Sequence, residues 1–379
     1  MLFYDRICII YKYFNIINLI ISDKTKKMKI KMIFNYVVCY LFKQIFLYII
    51  FLLTCFKIQA QPGCPNVNAG NDQTLSCNTQ CTNLSATFLQ TGATGTYSVS
   101  SITYSPPYAN NSGTIIPVYF DDTWSSIVNL PFNFCFFGSY YNQIVVGSNG
   151  VISFNIAYAQ GTCPWAFSAT CPSSSLPLNS IFGPYHDIKP SIGSNSIRWE
   201  VSGTYPCRTF AVKFYEVPMY NCTSLKATHQ IVLYEGTNVI EVYMQNKPIC
   251  STWNNGVAVV GIQNASGTLG YTPSGRNTSQ WTATNEAWRF TPNGSNNYAF
   301  VWLQGTSQIG FAQTISVCPT QTTTYTAQVT YFNCDGSQII VSDDVVVNRN
   351  LNITVSPASP SICIGESQVL TASGATSYT

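Results

Sequence analysis

The sequence predicts an all-β protein, an antiparallel β-sandwich followed by a smaller sandwich, and three observations carry that prediction. Apolar and polar residues alternate with period two over 127–137 and again over 144–154, the pattern of strands with one buried face. Charged residues make up only 9 % of the chain and aromatics 14 %, and clusters of Gly, Pro, Asn, Ser and Thr separate the β-prone runs. That balance belongs to β proteins with many turns. Between residues 61 and 292 no stretch repeats apolar residues at the spacing of an amphipathic helix of useful length.

Residues 1–60 read as a leader. They hold nine of the 18 Lys and Arg and two of the 15 Asp and Glu, so the remainder is acidic by four charges although the whole chain is +3. Lys24, Lys26, Lys27, Lys29 and Lys31 form a positive segment, 44–56 is an apolar run, and Ala60 is a small residue before Gln61. This is the order of a secretory signal, with Met28 and Met32 as alternative starts. The alternative is a retained anchor, but the apolar run is short for a membrane span and Lys43 interrupts the longer tract. No membrane span is expected in the mature chain. Nor is nucleic acid a partner, because the basic surplus leaves with the leader.

Twelve of the 15 cysteines follow residue 60. An even dozen behind an export signal implies disulfides and an oxidising compartment. The nearest neighbours suggest Cys163 with Cys171, Cys222 with Cys250, and Cys318 with Cys334, although spacing alone does not fix connectivity. Zinc needs compact Cys/His groups, and Cys77 and Cys81 form a single CxxxC with no histidine nearby.

In chain order, 61–96 is an N-terminal β segment in which Leu84, Ala86 and Phe88 share a strand face. The main domain covers 97–292. It opens with a loop-rich entry containing Pro106, Pro107 and Pro117, and its centre is 121–154. Gly147-Ser148-Asn149-Gly150 supplies the positive-φ residues of a hairpin turn there. Residues 163–190 read as a long irregular connection, stapled by its cysteines. Strands are expected at 196–201, 209–217, 228–234, 239–244, 257–263 and 281–290. The continuous apolar run 257–263 fits a strand covered on both faces. A smaller unit at 293–349 has strands at 298–303, 314–317, 324–331 and 339–347, enough for a minimal immunoglobulin-like sandwich. Residues 350–379 read as the truncated start of a further unit, so the sequence is expected to be a fragment, with the partner of Cys363 beyond it.

Several separated motifs resemble one family. The run DDTWSSIVNLPFNFCFFGSYYNQIVVGSNGVISF, then GPYHDIKP, HQIVLYEGTNVIEVYMQNKP, AVVGIQNASGTLGYTPSGRNT and WTATNEAWRFTPNG, resemble the nidogen-like extracellular domain of large Bacteroidetes surface proteins. The stretch 293–349, with its TTTYT run, resembles a PKD or immunoglobulin-like repeat, and 350–379 the start of another. The resemblance implies a secreted or cell-surface, adhesin-like role in cell–matrix or cell–surface contact. It also implies export by the type IX system, as in proteins ending in a gliding-motility-associated C-terminal domain. Fold does not dictate function, and two alternatives stand beside this role: a carbohydrate-binding accessory region of a larger secreted enzyme, and a passive stalk.

The residues do not predict an enzyme or a cofactor. Only His186 and His229 are available as bases, and neither GxSxG nor HExxH occurs. His186 with Asp187 is expected to order a loop by hydrogen bonds. His229 falls on the strand face of Ala227, Ile231 and Leu233 and is expected in the core. Asp121-Asp122 and Asp343-Asp344 are the adjacent carboxylate pairs. Asp121 and Asp122 are the calcium candidates, although a DxDxDG spacing is missing; the plainer reading is solvated strand ends. Trp165 and Trp253 sit in loops where sugar rings stack on exposed aromatics, so the expected partner is an extracellular protein or glycan surface.

Overall fold

The computed structural model describes residues 63–76, 79–191, 196–349 and 354–373. The leader, with its signal and alternative starts, lies outside them, as does Cys77. Among the described residues no helix is long and apolar enough to cross a membrane, and only two single-turn 3-10 segments, Ile156–Tyr158 and Asn254–Gly256, interrupt a β architecture.

The larger unit is made of two seven-stranded sheets, neither closed into a barrel. The first runs in the order Gly270–Tyr271, Val257–Gln263, Ser180–Tyr185, Val151–Ser153, Ser139–Gly147, Val128–Phe136, with Ser279–Gln280 added beside Val257–Gln263. The second runs Tyr97–Ile102, Ala283–Pro292, Ile240–Lys247, Lys226–Tyr234, Thr209–Pro218, Ile197–Ser202, Thr114–Ile115. Phe134, Ile144, Ile152 and Ile262 of the first sheet share one apolar core with Phe214, Ile231, Val242 and Phe290 of the second. The sheets approach so closely that a Cβ on Gly183 would lie 2.6 Å from Cγ1 of Ile231, so glycine is required there.

Alternation located most of these strands to within a few residues, and 257–263 is a strand over that range, buried except at its first residue. Two places differ. The centre of the chain holds an extra hairpin, Val128–Phe136 with Ser139–Gly147, closed by Phe137 and Gly138 at φ 47° and 83°. Positive φ at both central residues gives the turn a twist that suits a hairpin, and a bulky Phe in that position conceals it. The second difference is Ser180–Tyr185, a fully buried strand inside the connection expected to be irregular. Gly183 and Pro184 break its pattern, and burial on both faces removes the alternation that would have marked it.

The smaller unit revises the expected domain boundaries. Its five-stranded sheet runs Gln73–Leu75, Gln338–Arg349, Thr323–Phe332, Tyr298–Gln304, Ser307–Gly310. Thr314–Val317 pairs separately with Thr82–Ser85, and Val67–Asn68 with Thr87–Phe88. Leu75, Leu84 and Ala86 are buried with Phe300, Trp302, Val329 and Val345 in one core. The segment 61–96 therefore does not stand ahead of the larger unit as a piece of its own. Its strands between Val67 and Phe88 fold with 293–349, and the larger unit is inserted between the two. The cause is coverage: the later strands alone leave the Trp302 side open, and Leu84, wholly buried, closes it. Tyr331 fixes the junction by donating from its hydroxyl to the Leu89 carbonyl, 2.8 Å away. Farther on, Thr354–Ser356 pairs with Thr371–Ser373 as an exposed ribbon.

The disulfides follow this topology rather than sequence proximity. Cys222 is bonded to Cys250. Cys318, however, is bonded to Cys81, and Cys334 to Cys135, so the expected Cys318 with Cys334 bridge does not form. The register explains the first exchange: Val317 faces Thr82, which brings the next residues, Cys318 and Cys81, opposite one another. The second ties the smaller unit to the larger one. Cys64 is bonded to Cys207. Cys163 and Cys171 are both free and buried, correcting the expected staple. Their thiols are held in different places: Cys163 Sγ lies against Gly147, and Cys171 Sγ against Gly270. Cys363 is free and exposed.

Candidate functional site

Five chain segments meet at one end of the larger unit, and the turn 147–150 holds three of them directly. Asn149, with no exposed surface, donates from its side-chain amide to Asp122 Oδ1 at 3.0 Å and to the carbonyls of Cys163 and Pro164 at 3.3 Å. Its Oδ1 accepts from the Ile188 amide and its carbonyl accepts from the His186 amide. One buried side chain thus fastens the Asp121-Asp122 turn, the 163–165 loop and the segment after Ser180–Tyr185. Gly150, at φ 81°, has no room for a side chain, since a Cβ would lie 2.2 Å from the Pro184 carbonyl oxygen.

Where Ser180–Tyr185 ends, Ile188 bridges to Met219 and the Lys189 amide donates to the Pro218 carbonyl. That contact brings Tyr220 beside Asp187 and Lys189. From the far side comes Trp253, whose indole Nε1 donates to Asp187 Oδ2 at 2.6 Å. Trp253 stacks on Trp165 with centroids 5.3 Å apart and packs against Tyr220 at 4.8 Å, the rings tilted by 38°. All three rings are half-buried. The Asn254 amide donates to the Trp165 carbonyl at 3.1 Å and locks the two loops together.

Asp121, Asp122 and Asp187 lie behind the rings, each with a carboxylate oxygen within 4.8 Å of the others. Asp187 is 5 % exposed. Burial pushes its carboxyl up to about 6, with the charges of Asp122 and Asp121 adding to the rise and the Trp253 bond opposing it. Burial, and then Asp122, also raise Asp121, against the pull of Lys189. Lys189 reaches Asp121 at 3.7 Å and lies over the Tyr220 ring at 5.1 Å, but it is 48 % exposed.

The structure thus brings together Asp121, Asp122, Trp165 and Trp253, which the sequence singled out separately. It adds Lys189 and Tyr220, and it places Asp187 here rather than with His186. It does not join His186 to Asp187 by a hydrogen bond, because neighbouring residues of an extended segment project to opposite sides. His186 points inward, 1 % exposed, with both ring nitrogens unpartnered. Asp343 and Asp344 lie elsewhere and are satisfied, accepting from the Ala69 amide and the Thr326 hydroxyl. Burial pushes the Cys163 and Cys171 thiols up to about 12, which keeps them out of the thiolate form that reacts.

A family model described as NIDO related matches residues 96–303. No curated protein and no solved structure matches the chain. The matched stretch is more than half of the 379 residues and contains every residue of the loop end just described. The chain belongs to the NIDO-related family.

Proposed function

We propose that this chain is an exported, non-catalytic binding module of adhesin-like character. It meets an extracellular protein or glycan surface through the loops bearing Trp165, Trp253 and Tyr220. One observation carries the reading: three half-exposed aromatic rings packed together beside carboxylates, with the Trp165 loop fixed by a buried asparagine. Aromatic surfaces with polar edges dominate the energetics of recognition. Family membership and four disulfides support an extracellular setting. The same proposal makes the larger unit a nidogen-like sandwich and the smaller an immunoglobulin- or PKD-like spacer. The resemblance to Bacteroidetes surface proteins supports type IX export and association with the cell surface. The burial of His186 and His229 supports the absence of catalysis. The stacked tryptophans favour a sugar partner as the second reading, in which the chain is the carbohydrate-binding part of a larger secreted enzyme.

The test is retention of the exported chain on a glycan array and on immobilised extracellular-matrix proteins. The Trp165→Ala, Trp253→Ala double variant is expected to lose about tenfold or more in affinity, since aromatic anchors of an interface are worth ~2 kcal/mol or more. Its melting temperature should stay close to that of the parent. Undiminished retention in a folded double variant leaves the passive-stalk reading. Hydrolysis of peptide or polysaccharide that vanishes in His186→Ala contradicts the non-catalytic reading.

A further inference from the structure

We propose that Asp121, Asp122 and Asp187 form a binding site for one divalent cation of the calcium class. Three observations converge. The first is spacing: each residue offers an oxygen within 4.8 Å of the others. Calcium binds oxygen at roughly 2.3–2.6 Å, so oxygens on its coordination sphere are at most about 5 Å apart. The three carboxylates are therefore close enough together to share a single ion.

The second observation is a buried carboxylate in that group with one oxygen left unpartnered. Asp187 is only 5 % exposed, and while its Oδ2 accepts from Trp253, its Oδ1 is buried with no hydrogen-bond partner. Asp121 Oδ1 is likewise buried and unpartnered. A buried carboxylate oxygen without a donor is costly, and natural structures give such atoms a partner or an ion. Asp187 comes from a different chain segment and is separate from the Asp121-Asp122 pair. The third is charge. Three carboxylates face the single ammonium of Lys189, which is 3.7 Å from Asp121 and nearly half exposed, so most of its charge is spent on solvent.

The donor set decides the class. Oxygen ligands alone suit calcium or magnesium rather than zinc or copper. Magnesium demands near-ideal octahedral geometry at about 2.0–2.1 Å and gives up its waters reluctantly, whereas calcium accepts an irregular set of protein oxygens from separate segments. The remaining coordination positions go to water or partner oxygens. A cation here would brace Asp187, and through its Oδ2 the indole of Trp253, so it would stiffen the aromatic face. The inference goes beyond the binding reading and does not need it.

The experiment titrates the full exported chain, stripped with chelator and dialysed, with calcium chloride, and with magnesium chloride in parallel. Calorimetry is expected to show one site with a Kd of about 10⁻⁴–10⁻³ M, the range of extracellular modules. Melting should rise by roughly 2–5 °C at about 10 mM calcium, and by less with magnesium. Asp122→Asn and Asp187→Asn should each weaken binding at least tenfold, while Asp344→Asn leaves it unchanged. Should Asp187→Asn fail to fold, the half-buried Asp122 still decides the matter. Terbium emission sensitised by Trp253 provides a second readout, which should be displaced by calcium and dimmed in Trp253→Phe. No saturable binding, or equal affinity in Asp122→Asn and the parent, overturns the proposal. Calcium binding with retention indifferent to the tryptophans leaves the cation site standing and sinks only the partner surface.

Discussion

Replacing Leu84 by aspartate is expected to unfold the smaller unit while the larger one stays folded. Leu84 is wholly buried among Trp302, Ala327, Val329 and Val345, more than 200 residues away in sequence. A carboxylate there has no described cation to pair with and would cost upwards of ~4 kcal/mol, a large share of a domain's stability. Amide hydrogen exchange locates the damage directly. Protection should vanish across Thr323–Phe332 and Gln338–Arg349 and persist in Thr209–Pro218 and Lys226–Tyr234. Trp302, the one tryptophan within 293–349, should shift its emission to longer wavelength. Leu225→Asp, at a site 37 % exposed, serves as the silent control. Intact protection in Thr323–Phe332 of the Leu84→Asp chain would mean that the N-terminal segment is not part of that core.

His229 is expected to make the larger unit sensitive to acid. It has no exposed surface, stacks on Phe214 at a centroid distance of 4.4 Å, and neither ring nitrogen has a partner. Burial lowers its pKa to about 3, because the charged ring loses its hydration. A base whose pKa falls on folding contributes stability that is complete above its unfolded value of ~6.5 and is lost as pH drops from there toward 3. By pH 5 the loss from this residue is about 2 kcal/mol. Other groups titrate in the same range. His186 is also depressed, by burial first and then by Lys247 and His229, while Asp187 shifts the opposite way. The measurement is therefore a difference: urea midpoints at pH 7 and pH 5 for the parent and for His229→Leu. The variant should lose about 2 kcal/mol less between the two. Equal losses would show that the imidazole gains a proton in the folded state at no cost.

What the sequence disclosed and what it withheld divide along physical lines. Strands with one wet face were readable, because alternation is a local record of burial. Thr314–Val317 emerges over the expected residues, and Val257–Gln263, buried on both faces, is legible instead from its unbroken apolar run. Where burial is two-sided, as at Ser180–Tyr185, no alternation remains. The joining of 67–88 to 298–349 was hidden because a core is a non-local property. Leu84, Ala86 and Phe88 announced an apolar face without naming what covers it. Cysteine partners are hidden for the same reason: among the described cysteines only Cys222 and Cys250 are both bonded to each other and close in sequence, 28 residues apart. At the loop end, Asp121, Asp122, Trp165 and Trp253 attracted notice as residue types. Adjacency in sequence pairs Asp187 with His186, yet strand geometry sends it to Trp253 instead. Asn149 was read as a turn residue, and its second role, holding three segments with one amide, has no sequence signal.

The loop end also shows why the frame is cross-linked. Its residues come from positions 121 to 253, and their spacing depends on how the two sheets are held. Cys64 with Cys207 and Cys135 with Cys334 close loops of 143 and 199 residues. Restricting loops that long in the unfolded chain is worth on the order of 2–5 kcal/mol per bridge. A binding face assembled from five segments gains from such restraint, because ordering it at the moment of contact would subtract from affinity.

The central claim is an oxidised β frame in which the outer segments fold together and the loop end is assembled on it. Peptide mapping of the unreduced chain, by mass spectrometry after alkylation of free thiols, tests it most directly. The account predicts Cys64 linked to Cys207, Cys81 to Cys318, Cys135 to Cys334 and Cys222 to Cys250, with Cys163 and Cys171 alkylated only after unfolding. A bridge between Cys318 and Cys334, or between Cys163 and Cys171, or thiols free throughout, would contradict it.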